Sequence, residues 1–208
     1  SGAWVDVELP ANVAGWLLLA ALPLLLAACT AFTKIAVVLG ALRLGLGAER
    51  LLPGGSMLAL ALVITALVMA PVTEDCLAAL DELGGYQALV AAPLELGART
   101  LAPLWEFLAT HAKPEEVERF AELSGRGSDE PLVLAPAFLL SELGRGLELA
   151  VLILLPFVVV DLICAQVLVL LGLASTPTAV IALPAKILLF LAADGWSTVV
   201  VGLVEGYR

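Results

Sequence analysis

The sequence predicts an all-α membrane-complex protein built from apolar helical hairpins, with four long hydrophobic spans plus a short amphipathic helical insert. Of its 208 residues, 62% are hydrophobic and 14% are charged, and the mean hydropathy is +1.06, far more apolar than a soluble domain. The four spans lie at about 13–39, 57–72, 149–173 and 179–204. Most approach the ~20 residues that a helix needs to cross a hydrocarbon core.

The first two spans are joined by a glycine-rich connection, residues 43–56, which is typical of a tight turn between helices. It carries Arg43 and Arg50, so the positive-inside rule predicts that it faces the cytoplasm. The apolar run at 13–33 is too long for a signal-peptide core and has no basic flank before it. We therefore expect this run to be part of the mature structure.

The second connection, residues 73–134, is acidic: twelve acids minus four bases give a net charge of −8. We therefore expect this connection on the opposite face of the membrane from the first connection. Apolar residues recur at helical spacing on either side of Pro114, which predicts two short amphipathic helices. These residues are Leu104, Phe107 and Leu108, then Val117, Phe120 and Ala121. A flexible exit follows at 125–131, and we treat residues 1–208 as a single domain carrying this insert.

Composition and motifs exclude several function classes. A net charge of −10 argues against a nucleic-acid partner. Cys29, Cys76 and Cys164 lack the spacing of a metal site or disulfide framework, and His111 in the polar segment reads as a solvated side chain. No hydrolase, zincin, nucleotide-binding or dinucleotide-binding signature is present in the sequence, so we expect no enzyme and no cofactor.

Four charged residues lie inside the apolar spans: Lys34, Asp161, Lys186 and Asp194. An ionised aspartate at the centre of a lipid-facing helix costs roughly 2.5 to 3.5 kcal/mol, so such groups must be hidden, neutralised or used. Structural pairing inside a bundle and a direct functional role remain equally open.

The spacing of these charges along the sequence predicts how deep each lies along the predicted hairpin. Lys186 and Asp194 are eight residues apart, so one helix would present them on nearly the same face. In a hairpin that turns near Pro177, Asp161 would lie at the depth of Asp194 and not of Lys186. Since two carboxylates at one depth would repel each other, we expect their partners to come from another span or another chain.

The segment between the last two spans, residues 171–184, contains glycine and two prolines but no charge. An apolar stretch that cannot form a regular helix must be buried in protein or line a constriction. The alternative is a short turn that dips into lipid.

Four blocks of the sequence resemble, in order, those of the FliP/SctR family of flagellar and type III secretion export-gate proteins. The blocks are "FTKIAVVLGALRLGLG" (32–47), "LALALVITALVMAPV" (58–72), "PAFLLSELGRGLELAVLILLPFVVVDLICAQVLVLLG" (136–172) and "IALPAKILLFLAADGWSTVVVGLV" (181–204). They cover nearly the whole chain, and the pair "LPFVVVDL" and "LPAKILLFLAADGW" is the most specific part.

The resemblance implies a non-enzymatic, pore-forming subunit through which unfolded polypeptides leave the cytoplasm. It implies a homo-pentamer that also contains SctS/FliQ-like and SctT/FliR-like subunits, located at the bacterial inner membrane with its hairpins raised largely out of the bilayer. The buried charges would then be satisfied at contacts between subunits. The segment that forms the gate loop would be Gly172, Leu173, Ala174, Ser175, Thr176 and Pro177.

Two departures from the family pattern affect this interpretation. Family members usually carry a run of methionines after the glycine of the hairpin turn, where this chain has Leu173, Ala174 and Ser175. Lys34 stands where flagellar members tend to have arginine, so we favour an injectisome member. The alternative function is a small ion or solute transporter that uses the intramembrane aspartates and lysines; an intramembrane enzyme is third, because no nucleophile is paired with a base.

Overall fold

The computed structural model describes residues 20 and 25, residues 27–91 and residues 93–207, without the side chains of 89–91 and 93–95. All regular structure in these residues is helical. The helices are α1 (Phe32–Leu46), α2 (Gly54–Glu82), α3 (Gly85–Ala91), α4 (Pro93–Thr100), α5 (Ala102–His111), α6 (Pro114–Ser124), α7 (Pro131–Leu170), α8 (Ala179–Ala192) and α9 (Gly195–Glu205). The predicted all-α class is confirmed for this part of the chain.

The predicted number of spans is supported only in part. By length and composition, α2 and α7 could each cross a membrane, and α8 with α9 would make a third span if that pair, bent by 61°, is counted as one. Of the first predicted span, 13–39, residues 13–19, 21–24 and 26 lie outside the described residues, and α1 begins at Phe32 within the rest. Both long helices run beyond their apolar spans, since α2 continues to Glu82 and α7 begins at Pro131.

The turn after α1 is fixed by an arginine. Gly47 follows the helix with φ 65°, a left-handed conformation that glycine adopts without strain. The Arg43 side chain then donates from Nε to the Leu52 carbonyl (2.6 Å) and from Nη2 to the Glu49 carbonyl (3.0 Å). Arg43 therefore holds the connection closed, in agreement with the predicted tight turn.

The two amphipathic helices predicted in the insert are confirmed as α5 and α6. Both begin with proline in the first turn, where its missing N–H costs nothing, and α6 is followed by Gly125 with φ 65°. Leu108 of α5 is fully buried against α7, together with Phe138. The short helices α3 and α4 were not predicted.

The core lies where α1 packs along α7. One face of α1 is buried through Ile35, Val38, Leu39 and Leu42, each of which is worth about 1.5–3 kcal/mol when fully removed from water. Two glycines, Gly45 of α1 and Gly146 of α7, permit the close approach. A Cβ at Gly45 would stand 2.6 Å from the Phe157 ring. This contact fixes where α1 crosses the middle of α7.

Candidate functional site

The predicted gate loop forms the tip of the hairpin between α7 and α8. Gly172 lies just after the end of α7 and has φ 73°; its amide donates to the Val169 carbonyl (3.0 Å), and the Leu173 amide donates to the Leu168 carbonyl (2.8 Å). This pair of bonds is a Schellman motif, which satisfies carbonyls that the helix end leaves free. The tip is therefore an ordered turn.

The hairpin tip is apolar and exposed in this single chain. Leu170 is 84% exposed, Leu171 65% and Leu173 48%, while Ala174 and Ser175 are also exposed. Most of the outer face of α7 is exposed and apolar as well. Soluble proteins rarely leave such a continuous apolar surface uncovered, so lipid or protein must cover it.

Asp161 forms an ion pair with Lys186, whose Nζ lies 3.1 Å from the Asp161 carboxylate oxygens. The prediction that Asp161 lies at the depth of Asp194 rather than Lys186 is therefore wrong. The reason is that α7 ends at Leu170 and α8 begins at Ala179. At 1.5 Å per residue, nine residues before one helix end and seven after the other give similar depths of about 13 and 10 Å.

The ion pair lies in an open groove of about 510 Å³ between α7, α8 and the end of α1. Lys186 is buried, whereas the Asp161 side chain remains 47% exposed. The other walls of the groove are almost wholly apolar. One edge of the Asp161 carboxylate is thus available to a second donor within an apolar surface.

Asp194 does not share a helical face with Lys186. The prediction that one helix presents both residues on nearly the same face is therefore wrong. Asp194 lies at the break between α8 and α9 with φ 47°, and it is exposed. A Cβ at Gly195 would stand 2.2 Å from the Phe190 ring, which itself packs edge-on against Trp196 at 5.2 Å. The tight aromatic contact therefore requires glycine at the break.

Lys34 belongs to a second site, a buried charge cluster made of Lys34, Glu142, Arg145 and Tyr207. Lys34 is 3% exposed and Glu142 is fully buried, and their charged groups lie 3.7 Å apart. Arg145 approaches the other Glu142 oxygen at 3.2 Å and also donates to the His111 carbonyl at 2.6 Å. Lys34 is thus neutralised within its own chain.

Tyr207 completes this cluster. Its hydroxyl donates to Glu142, and its ring lies beneath the Lys34 ammonium, 3.4 Å from Nζ to the ring centroid. Burial, followed by the negative charge of Glu142, raises the pKa of the Tyr207 phenol. The phenol therefore remains a hydrogen-bond donor.

His111 is not the solvated side chain that the sequence indicated. It is half-buried, Nδ1 lies 2.9 Å from the Phe107 carbonyl, and its ring is 5.4 Å from Tyr207. Sequence reasoning also missed Glu142 and Tyr207. The available signal was the pair Glu142 and Arg145, which share a helix face inside a largely apolar stretch.

The described residues hold no group of three or more histidine, cysteine or acidic side chains that could bind a metal. Cys29 and Cys164 are buried and Cys76 is half-buried, and all three are free thiols. The contacts that the structure describes at these sites are ion pairs, hydrogen bonds and apolar packing.

An exposed apolar hairpin, charges paired inside the subunit and an ordered apolar tip define a class: a helical subunit of a membrane complex. Comparison with known proteins agrees. The FliP family model matches residues 16–203. The chain is 34% identical to the hypersensitivity response secretion protein HrcR of Ralstonia nicotianae, over 98% of this chain and 99% of that protein.

Two further relatives are a flagellar protein and a translocation protein. The chain is 36% identical to the flagellar biosynthetic protein FliP of Caulobacter vibrioides, over 86% of this chain and 69% of the relative. It is also 36% identical to the Yop proteins translocation protein R of Yersinia pestis, over 91% and 92%. The chain belongs to the FliP family, and it is a component of a type III export apparatus.

Proposed function

We propose that this protein is a pore-forming, non-enzymatic subunit of a type III protein-export gate at the bacterial inner membrane, which passes unfolded polypeptides out of the cytoplasm. The observation that carries the proposal is the exposed apolar hairpin with its ordered tip, from Leu170 to Leu173. A monomer would leave this surface in water or lipid, whereas a ring of subunits would bring the tips together around a hole.

The proposed assembly is a homo-pentamer joined by SctS/FliQ-like and SctT/FliR-like subunits. Its interfaces would cover the outer faces of α7 and α8, and four apolar segments of each subunit would be buried in it. The Asp161 carboxylate supports this arrangement, because its exposed edge lies in an apolar groove beside α8. A donor from a neighbouring subunit would satisfy that edge and remove the cost of covering it.

The identities to injectisome and flagellar relatives are nearly equal, so they do not separate the two systems. We propose the injectisome on the basis of Lys34. Its ammonium contacts a tyrosine ring and one carboxylate oxygen, a geometry that does not need the planar fork of arginine.

Native mass measurement tests the proposal. The protein would be extracted in mild detergent after expression alone and after co-expression with the proposed SctS/FliQ-like and SctT/FliR-like subunits. We expect a multi-copy complex that becomes more stable and heavier with the partner subunits. A stable monomer that gains nothing from them would overturn the proposal.

A further inference from the structure

The buried charge cluster has no part in the proposed pore, yet it contains the two most deeply buried charged side chains among the described residues. Lys34 and Glu142 are 3% and 0% exposed. Burying two charges costs free energy unless their remaining donors and acceptors are satisfied. The groups that satisfy them therefore decide whether this region of the subunit forms.

The Glu142 carboxylate contacts donors from three different parts of the chain. Arg145 approaches from the next turn of α7, Lys34 from α1, and the Tyr207 hydroxyl from beyond the end of α9. Tyr207 is 65 positions away from Glu142 in sequence. Only after α9 has folded back against α1 does the third donor reach the carboxylate.

The ring of Tyr207 makes separate contacts with the acidic insert. It stacks on Phe107 at 6.1 Å between ring centroids and lies 5.4 Å from His111. Both of these residues belong to α5. One side chain thus contacts α1, α5 and α7, which the sequence places far apart.

The path of the chain explains how Tyr207 arrives there. The break at Asp194 turns α9 away from α8 by 61°. Leu203 on α9 is then buried in the core between α1 and α2, beside Ile35 and Ile64. A final turn, closed by a bond from the Tyr207 amide to the Val204 carbonyl (3.2 Å), points the phenol at the cluster.

We propose that Tyr207 is a positioning residue that couples the acidic insert to the hairpin core. Its ring fixes α5 against α1 and α7, and its hydroxyl completes the shell of Glu142. The segment Gly195–Tyr207 is therefore a strap that holds the insert in one orientation relative to the hairpin. This inference concerns the subunit itself and holds whether or not the pore proposal does.

Hydrogen exchange measured by mass spectrometry tests the coupling, on protein extracted in mild detergent with any subunits that copurify. In Tyr207→Leu, which removes both ring and hydroxyl, we expect the α5 amides to exchange about tenfold faster, as local opening becomes easier. Exchange in α8 should stay unchanged. Tyr207→Phe keeps the ring contacts, so α5 should stay protected while amides of α7 near Glu142 exchange faster.

The chain provides a matched control, because its other tyrosine, Tyr86, is 73% exposed. Tyr86→Leu and Tyr86→Phe should leave exchange in α5 and α7 unchanged. The proposal is overturned if Tyr207→Leu leaves α5 as protected as in the parent, or loosens α5 and α8 equally. If Tyr207→Leu does not accumulate, Tyr207→Phe decides alone: unchanged exchange near Glu142 would refute the role of the hydroxyl.

Discussion

The Lys186 ammonium lies 3.1 Å from both oxygens of the Asp161 carboxylate, and this pair joins α7 to α8 within one chain. Lys186 is buried, whereas half of the Asp161 side chain is open to the groove. Removing either partner therefore has unequal consequences. Loss of the acid leaves a buried ammonium unpaired, while loss of the lysine leaves an acid that can still reach water.

We expect Asp161→Leu to destabilise the subunit more than Lys186→Leu. Breaking a fully buried pair costs about 3–5 kcal/mol, and the partial exposure of Asp161 should reduce this to about 2 kcal/mol. The double variant should recover part of the loss, because no charge is left unpaired. Thermal unfolding in detergent measures the stability of the two single variants and of the double variant.

Asp161→Asn is the control for a proton-carrying role, since it removes the charge and keeps the hydrogen-bonding capacity. We expect it to assemble and to support secretion. An assembled Asp161→Asn complex that no longer secretes would point to proton chemistry at this residue and contradict the structural account.

The crossing of α1 over α7 predicts opposite effects for two glycines of the same helix. Gly45→Ala places a Cβ 2.6 Å from Phe157, so we expect a loss of about 1–3 kcal/mol from overpacking. Gly40→Ala meets nothing within 4 Å and should stabilise α1 by about 0.5–1 kcal/mol through helix propensity. Unfolding midpoints of the two variants provide the comparison; equal effects would mean that α1 does not cross α7 at Gly45.

The half-buried phenol of Tyr207 predicts a pH dependence at the alkaline end. Because the pKa of Tyr207 is raised in the folded state, the unfolded chain releases this proton first, above pH about 10. The stability contribution of Tyr207 is thus complete below that pH and falls as pH rises, by at most about 1.4 kcal/mol per pH unit. In Tyr86→Phe, which leaves one tyrosine, phenolate absorbance should appear only on unfolding. Ionisation of the folded variant near pH 10 would show that its surroundings do not raise the pKa of the Tyr207 phenol.

How much of this structure the sequence predicts depends on whether a feature is determined by neighbouring residues or by contacts between distant ones. Helical periodicity on both sides of Pro114 places α5 and α6 correctly, because that signal is local. Hydropathy locates the apolar parts of α2 and α7 but not the ends of these helices, since both continue beyond their apolar spans where packing against α5 and α6 supports them. A helix end that depends on tertiary contact leaves little trace in composition.

The candidate site was predicted only where local sequence determines it. Glycine and proline mark the hairpin tip, and the structure places an ordered turn there. The pairing of Asp161 with Lys186 was missed because the turn was centred on Pro177, several residues after the true end of α7. Contact between Glu142 and Tyr207 depends on the return of α9, which no periodic pattern encodes.

The hairpin tip is expected to seal the resting pore. Deleting Leu173–Ser175 would bring Thr176 directly after Gly172, where its amide can replace that of Leu173 in the helix-ending bond. We therefore expect assembly to survive and cells to leak ions, because an apolar constriction excludes them by dewetting. Ala174→Met with Ser175→Met should tighten the seal, since methionine adapts its shape.

Conductance and solute uptake in cells containing assembled complexes measure this effect. Leu123→Ala, at a leucine of the insert that is 76% exposed, is the control and should leave the membrane tight. If the deletion assembles and stays as tight as the parent, the tip is not the seal.

Cross-linking of the hairpin tip to a polypeptide in transit tests the central claim most directly. A photoreactive amino acid would replace Leu173, and a secreted substrate would be stalled in the apparatus by a fused, tightly folded domain. The account predicts a covalent adduct between residue 173 and the stalled substrate, and none when the same photoreactive residue replaces Leu123. Stalled substrate that never cross-links to position 173, in complexes that still secrete, would contradict the claim that this tip lines the export path.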